Sequence, residues 1–124
     1  MIMNTKILVC IVMFASFISY ISVNAKHPER YYQNRHCKQL NGITEYRIHN
    51  VRVDCLTNEY AIEYDFANKF YEGISQALYY SQLTERIGKL VLIEENKEEK
   101  HFVDRAKEII EYWNLPLELE VIDK

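Results

Sequence analysis

The chain begins with one long run of apolar residues, and after it apolar and polar residues alternate with short periods. From Ile7 to Val23 nearly every position is apolar, and Lys6 is the only charged residue among the first 25. The run ends in the small-residue segment Val23-Asn24-Ala25. These features are typical of a secretory signal peptide, although the run approaches the ~20 residues of a membrane-spanning helix. We therefore expect residues 1–25 to be a signal peptide or a membrane anchor.

The pattern after residue 25 predicts helices and strands in the order α-β-β-β-α-β-α-β. Alternation with period 2 predicts strands at Ile43–His49, Val51–Leu56, Tyr60–Phe66 and Leu117–Ile122, and a short apolar run predicts a buried strand at Leu90–Ile93. Helical spacing and end signals predict helices from Pro28 to about Leu40, from the N-cap Asn68 to about Thr84, and over about Glu98–Trp113. We expect one α/β domain, residues 26–124, with a mixed sheet flanked by helices. Its first three strands would be antiparallel, and the middle helix permits a parallel crossover.

Net charge and cysteine content limit the functional classes and the cellular compartments that fit this protein. Without residues 1–25, Lys+Arg falls from 15 to 14 against 18 Asp+Glu, a net charge of about −4 that argues against a strongly basic nucleic-acid clamp. Cys37 and Cys55 remain, and an even pair in an exported chain predicts a disulfide, with two buried free thiols as the alternative. We expect an exported protein, periplasmic or secreted, that stays attached to the membrane if residues 7–23 are not removed.

Acidic residues recur on two neighbouring predicted strands. Glu63 and Asp65 point to the same face, because side chains alternate along a strand. If the two strands form a hairpin, Asp54 lies on that face too. Clustered carboxylates repel one another without a cation, and their oxygens suit Mg²⁺ or Mn²⁺. The alternative is a solvated face of the sheet.

The helix that follows carries a polar stripe. Lys69, Gly73, Gln76 and Tyr80 fall close to one line at about 100° per residue. This stripe could place a cation and hydrogen-bond donors beside the acidic strands. The alternative is that the stripe is exposed and that the helix packs through its apolar residues, which are Phe70, Ile74, Ala77, Leu78 and Tyr79.

These segments resemble the PD-(D/E)xK nuclease superfamily, which has the restriction-endonuclease-like fold. Arg52-Val53-Asp54 resembles the segment with the first metal-binding aspartate, and Ala61–Asp65 resembles the strand with the second acidic residue. Gln76-Ala77-Leu78-Tyr79-Tyr80 matches the Gln-x-x-x-Tyr motif of one branch. The resemblance covers about residues 28–93, with the same α-β-β-β-α-β order. The segments Asp54–Thr57 and Gln76–Tyr80 also resemble those of small exported bacterial proteins.

The resemblance implies a metal-dependent nuclease that hydrolyses phosphodiester bonds of a nucleic acid, with DNA as the first expectation. It implies a Mg²⁺ or Mn²⁺ site with four candidate ligands, Asp54, Glu63, Glu45 and Asp65. The implied catalytic set is Asp54, Glu63, Lys69, Gln76 and Tyr80. One departure is clear, because the family's lysine would stand two residues after Glu63, where this chain has Asp65. Either Lys69 supplies the cation from the helix, or the protein is an inactive binding module at the cell envelope.

Overall fold

The computed structural model describes residues 26–124 and confirms the predicted order of helices and strands. The elements are α1 (Glu29–Gln39), β1 (Ile43–Ile48), β2 (Val51–Leu56), β3 (Tyr60–Phe66), α2 (Phe70–Thr84), β4 (Ile87–Glu94), α3 (Lys100–Tyr112) and β5 (Leu117–Asp123). Single 3₁₀ turns, Ala67–Lys69 and Lys97–Glu99, precede α2 and α3. The predicted signal peptide or anchor, residues 1–25, lies outside the described residues. Between residues 26 and 124, no helix combines the length and apolar character needed to cross a membrane.

The five strands form one mixed sheet in the order β1-β2-β3-β4-β5. The first three strands are antiparallel, and β3, β4 and β5 run parallel to one another. Because α2 connects β3 to β4, the predicted crossover is confirmed. Strand β4 is longer than the predicted Leu90–Ile93, since Gly88 and Lys89 also pair with β5.

Helices cover both faces of the sheet and divide the core. Helices α2 and α3 close one face, over a core of Phe70, Ile74, Ala77, Leu90, Leu92, Ala106 and Leu117. Helix α1 packs on the other side, where Cys37, Cys55, Ile62, Tyr64 and Val91 form a second buried cluster. Strand β3 therefore carries core residues on both faces, which places its acidic residues in the middle of the domain.

Helix α2 begins later than predicted. Asn68 is not its N-cap, because it lies inside the 3₁₀ turn, and the helix starts at Phe70 without a side-chain cap. A 3₁₀ turn brings residues three apart to the same side. Ala67 and Phe70 are consequently both buried, and this packing decides how the helix begins.

The regular alternation of the first hairpin fails in its middle. Backbone pairs join Thr44 to Cys55 and Tyr46 to Val53, but no pair joins Glu45 to Asp54. Glu45 has φ 56°, a left-handed conformation that is unusual for its residue type. Val53 packs with Leu56, Ala61 and Tyr80 rather than with Cys55. Val53 and Cys55 therefore pack on different sides, whereas regular alternation in β2 would place them on the same side.

A disulfide joins α1 to β2, as the cysteine pair predicted. The Cα atoms of Cys37 and Cys55 lie 5.8 Å apart, and both residues are fully buried. Gly42 passes directly over the bridge after α1 ends. A Cβ atom at Gly42 would lie 2.5 Å from the Cys55 Sγ atom and 2.7 Å from the Cys37 Sγ atom. Glycine is therefore required here because only hydrogen fits above the sulfur atoms.

We predict that Cys37→Ser/Cys55→Ser lowers the free energy of unfolding by about 3 kcal/mol, since the bridge closes a short loop in the unfolded chain. Urea denaturation of the oxidised protein and the double variant measures this difference. Mn²⁺ affinity should change much less, because the bridge lies on the α1 side of β2. Free thiols at both positions in protein recovered from the envelope would contradict the disulfide.

We also predict that Gly42→Ala destabilises the oxidised protein by about 1–3 kcal/mol through overpacking against the sulfur atoms. In the Cys37→Ser/Cys55→Ser background the same substitution should cost less, since serine oxygen is smaller than sulfur. A double-mutant cycle measured by urea denaturation gives the coupling free energy between Gly42→Ala and the loss of the disulfide. Equal costs in both backgrounds would show that the bridge is not the obstacle.

Candidate functional site

Asp54 occupies the point where β2 and β3 separate. The ladder pairs Leu56 with Ala61 and Cys55 with Ile62, and then it stops. Asp54 Oδ2 accepts a hydrogen bond of 3.0 Å from the Tyr64 backbone N–H. The Asp54 carbonyl oxygen accepts a 2.8 Å bond from Gln33 Nε2 on α1. Both the side chain and the backbone of Asp54 are thus fixed.

Glu63 is the most buried carboxyl group of the site. It is 4% exposed, it lies beside the Asp54 carboxyl and the Tyr80 hydroxyl, and its Oε2 atom has no hydrogen-bond partner. Burial, followed by the charge of Asp54, raises the pKa of Glu63 to about 10. Burial also raises the pKa of Asp54. Without a cation, the Asp54–Glu63 pair therefore holds a proton at neutral pH.

A second acidic group lies further along β3. Asp65 is buried beside Glu29 of α1 and Lys69, and these neighbours interact with it electrostatically. Burial, followed by the charge of Glu29, raises the pKa of Asp65 to about 7, while Lys69 opposes the rise. Gly73 lets α2 approach the sheet closely, since a Cβ atom there would lie 2.6 Å from Leu90 Cδ1, and it would make an ordinary contact of 3.4 Å with Asp65 Oδ2. Asp65 therefore exchanges its proton near neutral pH.

Glu29 belongs to this site and was missed in the sequence. Burial raises its pKa, and the charge of Asp54 adds to the rise. In the sequence it is one acidic residue in the first turn of a helix, where acidic residues are common because they favour the helix dipole. Only the position of α1 over the sheet brings it to Asp65, and no local pattern encodes that position.

Glu45 lies beside the carboxyl pair but is held by cations. Its carboxylate contacts the Arg30 guanidinium at 3.5 Å, pairs with Arg52, and accepts a 3.4 Å bond from Gln33. Its charge raises the pKa of Asp54, so the two groups are close. The structure thus places Glu45 at the edge of the site as an ion-paired residue.

The polar stripe of α2 divides into near and distant members. Tyr80 is buried beside Glu63, and burial raises the pKa of its hydroxyl. Lys69 is exposed, and it lies by Asp65 and Glu29 rather than at the Asp54–Glu63 pair. Gln76 is exposed, and its side chain makes no hydrogen bond to residues 26–124. The structure therefore brings Tyr80 to the carboxyl pair, Lys69 to the neighbouring acids, and Gln76 to neither.

Helix α2 also packs partly through its apolar residues, which was the alternative interpretation of its sequence. Phe70, Ile74 and Ala77 are buried against the sheet, whereas Tyr79 is 47% exposed. Helix α2 packs through one wide face that includes both Gly73 and the apolar residues. The two interpretations of the helix are therefore not exclusive.

A hydrogen-bonded chain supports β3 from the opposite side. The Tyr64 hydroxyl and His36 Nδ1 lie 2.8 Å apart, and His36 Nε2 lies 3.1 Å from a Glu120 carboxylate oxygen. Tyr64 is the residue whose N–H binds Asp54. His36 thus links Tyr64 of β3 to Glu120 of β5.

Asp54 and Glu63 are the residues that fit a divalent cation. A cation beside them would stabilise both charges and offer a partner to the orphaned Glu63 Oε2 atom. Mg²⁺ commonly uses one or two carboxylates and completes its coordination with water and substrate oxygens. In the described part of the chain, no three His, Cys, Asp or Glu side chains are arranged to enclose a metal ion.

Fold and site together define an α/β protein with a mixed sheet and paired, buried carboxyl groups where β2 and β3 separate. Comparison of the chain with protein-family models, with curated proteins and with solved structures gives no significant match.

We predict that the pKa of Glu63 makes metal-free protein less stable as pH rises. Its pKa of about 10 in the folded protein exceeds the ordinary glutamate value of 4.5. The stabilisation from its bound proton is therefore complete below about pH 4.5 and is lost towards pH 10, by up to about 1.4 kcal/mol per pH unit. Glu63→Gln should remove this loss and exceed the wild type in stability at pH 8–9.

Urea denaturation in EDTA across this pH range measures the effect. The control is Glu108→Gln, which alters an exposed carboxylate on α3 and should follow the wild type. Parallel stability curves for the wild type and Glu63→Gln would show that Glu63 is ionised in the folded protein.

Proposed function

We propose that this protein is a metal-dependent nuclease with the restriction-endonuclease-like fold, hydrolysing nucleic-acid phosphodiester bonds. The observation that carries the proposal is the buried Asp54–Glu63 pair with the unpartnered Glu63 Oε2 atom. Buried carboxyl groups that face one another are costly unless a proton or a cation stabilises them. The element order and the resemblance of the Asp54, Glu63 and Gln76–Tyr80 segments support the same assignment.

In this proposal Asp54 and Glu63 hold Mg²⁺ or Mn²⁺, with Glu45 at the edge of the site. The bound metal supplies Lewis acidity towards the phosphate and lowers the pKa of an attacking water. Tyr80 orients Glu63 from α2. Gln76 is exposed one turn before Tyr80, so its proposed partner is the substrate rather than the carboxylates.

Asp65 and Lys69 supply the remaining groups. A carboxyl with a pKa of about 7 is suited to accept a proton near neutral pH, so Asp65 acts as the general base for the attacking water. Lys69 is exposed beside it and offsets negative charge that develops on the phosphate. This division of roles accounts for an acid where the family has its lysine.

The proposed place of action is outside the cytoplasm. The disulfide is compatible with an exported protein, since such bonds persist in oxidising compartments. Residues 1–25 then act as the signal peptide or membrane anchor. The substrate would be nucleic acid in the periplasm or outside the cell.

The second candidate is a binding module on the same scaffold, without catalysis. It is favoured by Asp65 at the lysine position and by the distance of Lys69 from the Asp54–Glu63 pair. A proton shared by Asp54 and Glu63 would satisfy the pair without any metal. Under this alternative the acidic centre is structural, and binding takes place on the surface.

We predict that the purified protein nicks or degrades DNA in Mg²⁺ or Mn²⁺, and that Asp54→Asn lowers the rate at least 100-fold, since removal of a catalytic metal ligand disables the site. Gel assays on single- and double-stranded DNA and RNA measure the activity. Asp104→Asn is the matched control, because it neutralises an exposed aspartate on α3.

Calorimetric titration with Mn²⁺ separates the two candidates. The nuclease should bind the ion and lose this binding in Asp54→Asn. A folded protein that binds no divalent ion would favour the binding module. Cleavage that survives both EDTA and Asp54→Asn would exclude the proposed metal site.

A further inference from the structure

The charges of this protein are strongly segregated along the chain. Residues 26–58 contain six lysines and arginines against three acidic residues, a net charge of +3. Residues 59–124 contain eight against fifteen, a net charge of −7. The net charge of the whole domain therefore conceals a basic part formed by α1, β1 and β2.

The three acidic residues within 26–58 all lie at or beside the candidate site. Glu29, Glu45 and Asp54 are each half-buried, and the first two contact neighbouring charged groups there. The basic side chains remain on the surface, where Arg30, Arg35, Lys38, Arg47 and Arg52 are all exposed. The outward surface of α1 and the β1–β2 hairpin, called the basic face below, thus carries five exposed cations, of which Arg30 and Arg52 are ion-paired with Glu45.

The basic face is continuous with the carboxylates. Arg30 from α1 and Arg52 from β2 both contact Glu45, whose charge acts on Asp54. Further along α1, Lys38 is exposed on the side of the helix towards Thr44 of β1, and Arg35 is exposed on the side towards Asp123 of β5. Neither makes an ion pair with another residue of the described chain, 26–124.

We propose that the basic face binds the phosphate backbone of a nucleic acid and leads it to the Asp54–Glu63 site. That the ligand is a nucleic acid rests on the proposed function. That the ligand is a polyanion rests only on the positive charge of the basic face. Two observations favour nucleic acid over an anionic membrane. The face is continuous with a buried site, and it includes the exposed stack of His27 on Tyr31, with centroids 3.9 Å apart, of a kind on which bases stack.

The test is the salt dependence of binding to a fluorescein-labelled oligodeoxynucleotide, followed by anisotropy in EDTA so that no metal-dependent cleavage occurs. Each phosphate contact contributes about 0.7–0.9 to the slope of log K against log salt. Arg35→Gln/Lys38→Gln should therefore lower the slope by about 1.5 and weaken binding at low salt at least fivefold. The matched control is Lys100→Gln/Lys107→Gln, which removes the same charge from exposed positions on α3 and should bind as the wild type.

The outcomes are distinguishable from those of the proposed function. A slope lowered by Arg35→Gln/Lys38→Gln alone supports the basic face, even in a protein that never cleaves. Equal slopes for both double variants would overturn it, even in an active nuclease. Preference for vesicles containing phosphatidylglycerol over pure phosphatidylcholine, with no binding to the oligonucleotide, would assign the face to a membrane. Circular dichroism melting confirms that each variant is folded.

Discussion

The hydrogen bond from the Tyr64 N–H to the Asp54 carboxylate is the contact on which the site depends. Buried backbone N–H groups need an acceptor, and in a regular hairpin the neighbouring strand would provide it. Here the ladder between β2 and β3 ends at Cys55, and the Asp54 side chain replaces the missing backbone acceptor. Because this contact satisfies Tyr64, the two strands can separate at low cost. The carboxyl groups of Asp54 and Glu63 lie side by side where the ladder ends.

Helix α1 braces this irregular region by polar and covalent contacts. It buries few apolar side chains, chiefly Tyr32 and Cys37, so packing alone holds it weakly. Gln33 binds the Asp54 carbonyl oxygen, and the disulfide fixes α1 to the residue that follows Asp54. Helix α1 also places Glu29 beside Asp65 in the site. A helix that looks marginal by its hydrophobic pattern is therefore integral to the acidic centre.

Local patterns predicted the elements, because strand alternation and helical spacing are properties of neighbouring residues. They failed where a distant contact decides the conformation. Glu45 adopts φ 56° at the point where arginines from α1 and β2 converge on its side chain. Asn68 loses its predicted capping role to the packing of Phe70.

For the candidate site, too, local patterns predicted some residues and missed those whose position depends on tertiary packing. Glu63 and Asp65 follow from alternation along one strand, Asp54 was expected beside them from the hairpin, and the structure brings Asp54 and Glu63 side by side. Glu29 depends on how α1 lies over the sheet, and the exposure of Gln76 depends on how α2 rotates about its axis. The net charge of about −4 is a sum over residues 26–124, and it does not reveal which part of the domain carries each sign. The orientation of a helix over a sheet is a tertiary property.

In the proposed nuclease, a proton and a divalent cation would compete for the same pair of carboxyl groups, Asp54 and Glu63. Glu63 retains a proton because burial and the Asp54 charge oppose its ionisation. A divalent cation must displace that proton, and part of its binding free energy is spent on ionising Glu63. Apparent metal affinity should therefore rise with pH over the range in which Glu63 is otherwise protonated. The two proposals, a nuclease and a metal-free binding module, therefore differ in what occupies this buried pair, a divalent cation in the first and a proton in the second.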